Sequence, residues 1–289
     1  MPDWVAIVIL GIVEGITEFL PVSSTGHLLI VEHWLPRQSD LFNIVIQSGA
    51  VLAVIPLFRE RLTQSIFQWR ERETREYLLK VALAFFITGV GGVLLEKFHF
   101  KLTDNPLPIA IALLVGGVAF ILVERQIKGK PLSANVTWQM AVVVGLGQLL
   151  AAGFPGTSRS GATILLALIL GLSRSAATEF TFLVGIPTML AAGGLKIVSA
   201  VLKSHGALGE NVGMVALGFL VSAVVSFAVV KWLLRYVQTH TFNAFGYYRI
   251  LLALFVFLLW GTGHLPTVHH GGGFENGRGL PADVQPGSH

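Results

Sequence analysis

The length of the uninterrupted apolar runs constrains this chain most, because a hydrocarbon layer about 30 Å thick is crossed by roughly 20 helical residues. Six segments reach or approach that length: Leu41 to Phe58, Leu78 to Leu95, Leu107 to Val123, Phe180 to Leu202, Val212 to Leu234 and Tyr247 to Trp260. Only 12% of the 289 residues are charged and 53% are hydrophobic, which excludes an ordinary soluble domain. The runs are continuous rather than alternating, which argues against a β-barrel and for packed helices rich in small residues, 32 of them glycine. The absence of cysteine removes disulfides, thiolate metal sites and a thiol nucleophile. A net charge of +4 drawn mostly from short loops gives no reason to expect a nucleic acid partner. Met1 to Leu10 lacks a basic stretch and runs straight into Glu14 and Glu18, so no cleavable signal peptide is expected.

Four further apolar segments, near Trp4 to Val13, Phe19 to Val31, Trp138 to Ala152 and Ala162 to Leu172, are too short to cross. Each pair is joined by a polar stretch containing proline, EGITEFLPVSSTGH (Glu14 to His27) and QLLAAGFPGTSRSGAT (Gln148 to Thr163). Irregular backbone at membrane depth survives only when it is buried in protein or lines a wet cavity, so both stretches read as re-entrant hairpins that face each other. They match at an offset of 134: Gly11 with Gly145, Glu14 with Gln148, Pro21 with Pro155, Ser23 with Thr157 and Ser24 with Ser158. One hairpin plus three crossings is an odd number of passes, so the second copy is expected to be inverted. The expected architecture is an all-α polytopic membrane protein, a single domain over 1–260, with repeats at about 1–124 and 138–260 and a disordered tail at 261–289. The tail's His269 and His270 invite adventitious metal binding.

Orientation follows the basic loops. Arg59 to Lys80 carries six basic residues and Glu124 to Lys130 carries Arg125, Lys128 and Lys130, so both are expected to be cytoplasmic. The segment Glu96 to Asn105 and both termini then lie outside, with the first hairpin entering from outside and the second from the cytoplasm.

Glu14 and Glu18 are four residues apart, on one face of the first half-helix. Two carboxylates inside a membrane are costly, which points to function, as ligands for a hard cation such as Mg²⁺ or Ca²⁺ or as one ligand and one base. Ser23, Ser24, Thr25 and Gly26 supply cap hydroxyls and free N–H groups at the start of the second half-helix, where anions bind. His27 follows Ser24 by three residues, close enough to share a face. The second stretch repeats the cap chemistry with Thr157, Ser158, Ser160 and Thr163 and adds Arg159, whose guanidinium can grip a phosphate bidentately. Together these describe phosphoryl transfer to water, with Ser24, a metal-bound water or His27 as the attacking group. Gly91-Gly92 and Gly116-Gly117 read as close helix packing, and Gln47 and Lys196 as interhelical hydrogen bonding and snorkelling.

The two motifs EGITEFLPVSSTGH and PGTSRSGAT resemble the signatures of the undecaprenyl-pyrophosphate phosphatase family of the bacitracin-resistance type. The resemblance extends through FNIVIQSGAVLAV and SRSAATEFTFLVGIP and covers Trp4 to Trp260. It implies a bacterial inner-membrane enzyme that removes one phosphate from undecaprenyl pyrophosphate, with a divalent cation and a site facing the outer side. By motif position it implies Glu14 and Glu18 as the acidic pair, Ser24 and His27 as hydroxyl and imidazole, and Ser158, Arg159 and Thr163 as the phosphate grip. Expected partners are the lipid pyrophosphate and the surrounding lipids, with a homodimer left open. A secondary transporter or lipid flippase is the rival reading, since inverted repeats with broken helices also build transport sites.

Overall fold

The computed structural model describes residues 2–36, 38–98, 105–203 and 211–265, which are helical apart from short turns and one isolated bridge between Ser133 and Leu172. In chain order the helices are α1 (Asp3–Thr17), α2 (Ser24–Trp34), α3 (Asp40–Val54), α4 (Arg59–Phe67), α5 (Arg72–Lys97), α6 (Pro106–Ile127), α7 (Trp138–Gly153), α8 (Arg159–Ile169), α9 (Arg174–Lys203), α10 (Val212–Thr239) and α11 (Asn243–Gly261). A 3₁₀ turn, Ile55–Phe58, joins α3 to α4 in one helical run. That run and α5, α6, α9, α10 and α11 are the six helices long and apolar enough to cross a membrane. Most of the segment 96–105 and all but the first residues of the tail, including His269 and His270, lie outside the described residues.

Side-chain caps fix several starts: Ser39 accepts from Phe42 N, Asn105 from Leu107 N, Thr137 from Met140 N, and Asn211 from Gly213 N and Met214 N. The basic stretch expected as a loop from Arg59 to Lys80 is helical except at Gln68 to Glu71. Arg, Glu and Gln are good helix formers, so the end of an apolar run marks the hydrocarbon boundary and not the end of the helix. For the same reason α1 continues past Glu14 to Thr17, and the first hairpin breaks only at residues 18–23.

Small residues bring the helices together. A Cβ at Gly11 would stand 3.0 Å from Gly218 O and one at Gly15 would stand 2.7 Å from Ser222 O, so α1 lies directly on α10 and runs in the same direction. On the other side of the bundle, Gly145 of α7 abuts Ala84 of α5, and Gln148 Nε2 donates to Thr88 Oγ1 at 3.0 Å, again with the helices parallel. Gly117 and Gly246 bring α6 and α11 into backbone contact.

One end of the bundle is tied by charge. Buried Glu124 accepts from Arg174 Nε at 2.8 Å, from Arg174 Nη2 and from Phe242 N at 2.8 Å, joining the end of α6 to the starts of α9 and α11. Arg61 pairs with Glu179 at 2.6 Å and lies over Tyr77, which brings α4 and the start of α5 to the same end. Both basic segments therefore share one end. α10 finishes there, so α1 begins at the far end; α7, parallel to α5, begins at the basic end. α1 and α7 thus start from opposite ends of the bundle.

Candidate active site

Each short helix pair turns through a serine in an unusual backbone conformation. Ser23 (φ 74°) and Ser158 (φ 67°) are the two non-glycine residues with positive φ among those described. Each is the N-cap of the half-helix that follows: Ser23 Oγ accepts from Gly26 N at 3.3 Å and Ser158 Oγ from Gly161 N at 3.2 Å. These twin caps are 135 residues apart, whereas the helix seams repeat at 134. The second turn holds one more residue between proline and cap, Gly156-Thr157 where the first has only Val22. The sequence pairing of Ser23 with Thr157 and Ser24 with Ser158 is accordingly corrected: Ser23 corresponds to Ser158, and Ser24 to Arg159.

Glu18, 7% exposed, is the hub between the turns. Its Oε2 accepts from Ser24 Oγ at 3.0 Å and from Gln47 Nε2 at 3.3 Å, while its Oε1 accepts from Arg159 Nη2 at 3.2 Å. The Arg159 guanidinium lies over the Phe19 ring, and Gly185 of α9 leaves it room, since a Cβ there would sit 2.6 Å from Nη1. Arg159 Nη1 and Glu14 Oε2 are buried with no hydrogen-bond partner. An orphaned donor and acceptor at one centre are what a polar ligand would satisfy.

His27 is held differently from the sequence expectation. Its Nδ1 lies 2.8 Å from Ser23 O and its Nε2 lies 2.7 Å from Tyr248 Oη, with the two rings stacked. A carbonyl only accepts, so in the neutral imidazole Nδ1 carries the hydrogen and Nε2 accepts from the tyrosine. Neither nitrogen addresses Ser24. The hydroxyl turns instead to Glu18, because residues three apart share a helix face without their side-chain tips having to meet.

The remaining predicted residues divide into two groups. Thr25 is exposed and Thr157 partly so, beside the caps. Ser160 and Thr163 are buried: Ser160 Oγ donates to Leu20 O at 3.0 Å, tying the second turn to the first, and Thr163 Oγ1 donates back to Arg159 O at 2.8 Å. Their hydroxyl hydrogens are committed to main-chain carbonyls, so they brace the turns and present no free donor. Two residues of α11 escaped the sequence reading, Tyr248 and Arg249. The signal for Arg249 was there, a lone charge within an apolar run.

Among the described residues no group of three or more His, Cys, Asp or Glu, around Glu14 and Glu18 or elsewhere, could hold a metal ion.

Residues 7–255 match the family described as bacitracin resistance protein BacA. Among curated relatives, the undecaprenyl-diphosphatase of Rhizobium etli is 48% identical over 262 residues, 90% of this chain and 98% of that protein. That of Xanthomonas oryzae is 49% identical over 262 residues, with the same coverage, and that of Xylella fastidiosa 51% over 254, 88% of this chain and 97% of the relative. A match of this extent over both serine-capped turns and the six apolar helices places the chain in the bacitracin resistance protein BacA family.

Proposed function

We propose that this chain hydrolyses undecaprenyl diphosphate to undecaprenyl phosphate and inorganic phosphate, recycling a lipid carrier for cell-wall synthesis. One observation carries the reading: Ser24 Oγ donates to Glu18 Oε2 at 3.0 Å while Arg159 holds the other oxygen of the same carboxylate, so a hydroxyl, a base and a phosphate-gripping cation meet at a half-helix N-terminus. Ser24 Oγ bonds to the terminal phosphorus as the bond to the bridging oxygen breaks, and its proton passes to Glu18. Undecaprenyl phosphate departs with the bridging oxygen. Water then replaces the serine oxygen on phosphorus, Glu18 returns its proton to that oxygen, and phosphate leaves with the protons of the water. Arg159, with the N–H group of Thr25 at the start of α2, offsets charge on the terminal phosphate. Direct attack by water is the competing route, with Glu18 as its base. A phosphohistidine on His27 loses ground because both ring nitrogens are engaged.

Mg²⁺ or Ca²⁺ fits this site to the extent that Glu14 offers a buried, unpartnered oxygen beside Glu18. Those two carboxylates would hold the ion, and substrate oxygens and water would complete its shell. When bound it would supply charge neutralisation to the diphosphate.

In the same reading the two short pairs are re-entrant hairpins in inverted repeats of one membrane domain over 1–260. The equivalence of the α1–α10 and α7–α5 seams, the twin serine caps and the opposite directions of α1 and α7 support this. The basic end faces the cytoplasm of a bacterial inner membrane, the site opens to the outer side, and the lipid tail lies among the helices. A transport or flippase role needs no serine paired to a carboxylate. Purified protein should release inorganic phosphate from undecaprenyl diphosphate, and a chelator should suppress the release. Absence of phosphate release from well-folded protein would overturn the phosphatase reading.

A further inference from the structure

α11 carries one cation that the proposed reaction does not use. Arg249 is fully buried, and among the described residues no carboxylate pairs with it. Its donors go to main-chain carbonyls: Nε to Leu113 O at 3.4 Å, Nη1 to Pro21 O at 3.3 Å, and Nη2 to Ala112 O at 3.1 Å and Gly156 O at 3.2 Å. Pro21 and Gly156 occupy equivalent places, each two residues before its serine cap. One guanidinium thus bonds the same carbonyl in both turns and anchors them to α6.

The surroundings leave space for this group. A Cβ at Gly116 would collide with the guanidinium, and one at Gly161 would stand 3.0 Å from Nη1. The contact of Gly117 with Gly246 sets α11 close enough to α6 for the side chain to reach through. An unpaired cation is a costly way to fill a core, and an apolar side chain of similar volume would serve packing as well or better. What an apolar side chain would lack is the rigid fan of donors.

The geometry points to Arg249 as a positioning residue for the hydrolysis: by bonding both turns it fixes the separation of Ser24 from Arg159, and its unneutralised charge lies behind both half-helix N-termini. This rests on the phosphatase reading for its consequence but not for the tie itself, and the two are tested apart.

In the full chain, which has no native cysteine, spin labels at Trp34→Cys and Ile169→Cys mark the far ends of α2 and α8. Arg249→Met should broaden or shift a narrow inter-label distance. Arg249→Lys, which keeps the charge and loses the fan, should fall between Met and native. Gly116→Ala, which displaces the guanidinium and leaves every charge in place, provides a second route if Arg249→Met folds poorly. On undecaprenyl diphosphate, kcat should drop by about tenfold or more in Arg249→Met with KM changed by less than about threefold, since misplacing reactive groups slows chemistry more than it weakens binding. Native distances together with native kcat in folded Arg249→Met or in Gly116→Ala would overturn the proposal. An altered distance with unchanged kcat would also overturn it, by leaving Arg249 a packing residue. If the native protein itself releases no phosphate, the phosphatase reading falls while the label distances still decide whether Arg249 ties the turns.

Discussion

Glu18 accepts from three side chains at once, Ser24, Gln47 and Arg159. If Glu18 is the base of the proposed reaction, replacing it with glutamine removes that base and leaves the Arg159 charge without its partner, so turnover should fall by roughly 10²–10⁴-fold, the range for loss of a general base. Phosphate release at saturating substrate measures this, and a near-native rate would mean that Ser24 is not activated through Glu18. Arg159→Lys keeps a charge but loses the planar fork, and at least about tenfold in rate, close to 1.4 kcal/mol of transition-state stabilisation, should go with it. Normal turnover in the folded variant would reduce Arg159 to a mark of topology. The acidic pair, the serine caps and Arg159 were legible in the sequence because ionisable and hydroxyl groups inside apolar runs have few structural excuses. The direction of His27 was not legible, since Tyr248 lies 221 residues away and only the fold brings the rings together.

At the scale of elements, the helix seams rest on a few glycines. Gly15→Ala would set a Cβ 2.7 Å from Ser222 O and 2.9 Å from Val225 Cβ. α1 must then move off α10, which should destabilise the protein by about 1–3 kcal/mol and lower its thermal midpoint in detergent. Gly92→Ala meets nothing within 4 Å and should be neutral or slightly stabilising in the same assay, because alanine is the better helix former. If both variants melt alike, close approach at the α1–α10 seam is not what Gly15 provides. Both glycine pairs singled out in the sequence were read there as packing positions, and only the structure separates them. Gly116 makes room for a charged side chain, and Gly92 faces open space. The number of long helices was readable from apolar length alone. Their ends were not, as α3 to α4 shows, because polar residues extend a helix well beyond hydrocarbon.

For the whole molecule, the Glu124–Arg174 pair and the Arg61–Glu179 pair collect both basic segments at one end, the arrangement that the asymmetry of Lys and Arg demands for a cytoplasmic face. Single cysteines introduced by Glu96→Cys and Arg70→Cys, each at an exposed position, make that testable. In intact cells an impermeant thiol reagent should label the variant at 96 and spare the one at 70. Labelling in the reverse order would invert the orientation and place the mouth of the site on the cytoplasmic side.

The turns that carry Ser23 and Ser158 share the conformation of their serine caps but not their chemistry. At twin first positions of the half-helices one turn presents a hydroxyl, Ser24, and the other a guanidinium, Arg159, while both carboxylates lie on the side of the first turn, Glu14 within α1 and Glu18 at its C-cap. A pocket with matching halves would accept a diphosphate in either of two senses, and in one of them the lipid-bearing phosphate would occupy the reacting position. In the proposed reaction, dividing nucleophile and cation between the halves would remove that degeneracy. The extra residue in the second turn adds a further offset. Directionality would then be built into the site itself, with the ligand's registry set where its phosphates bind and independent of recognition of the tail.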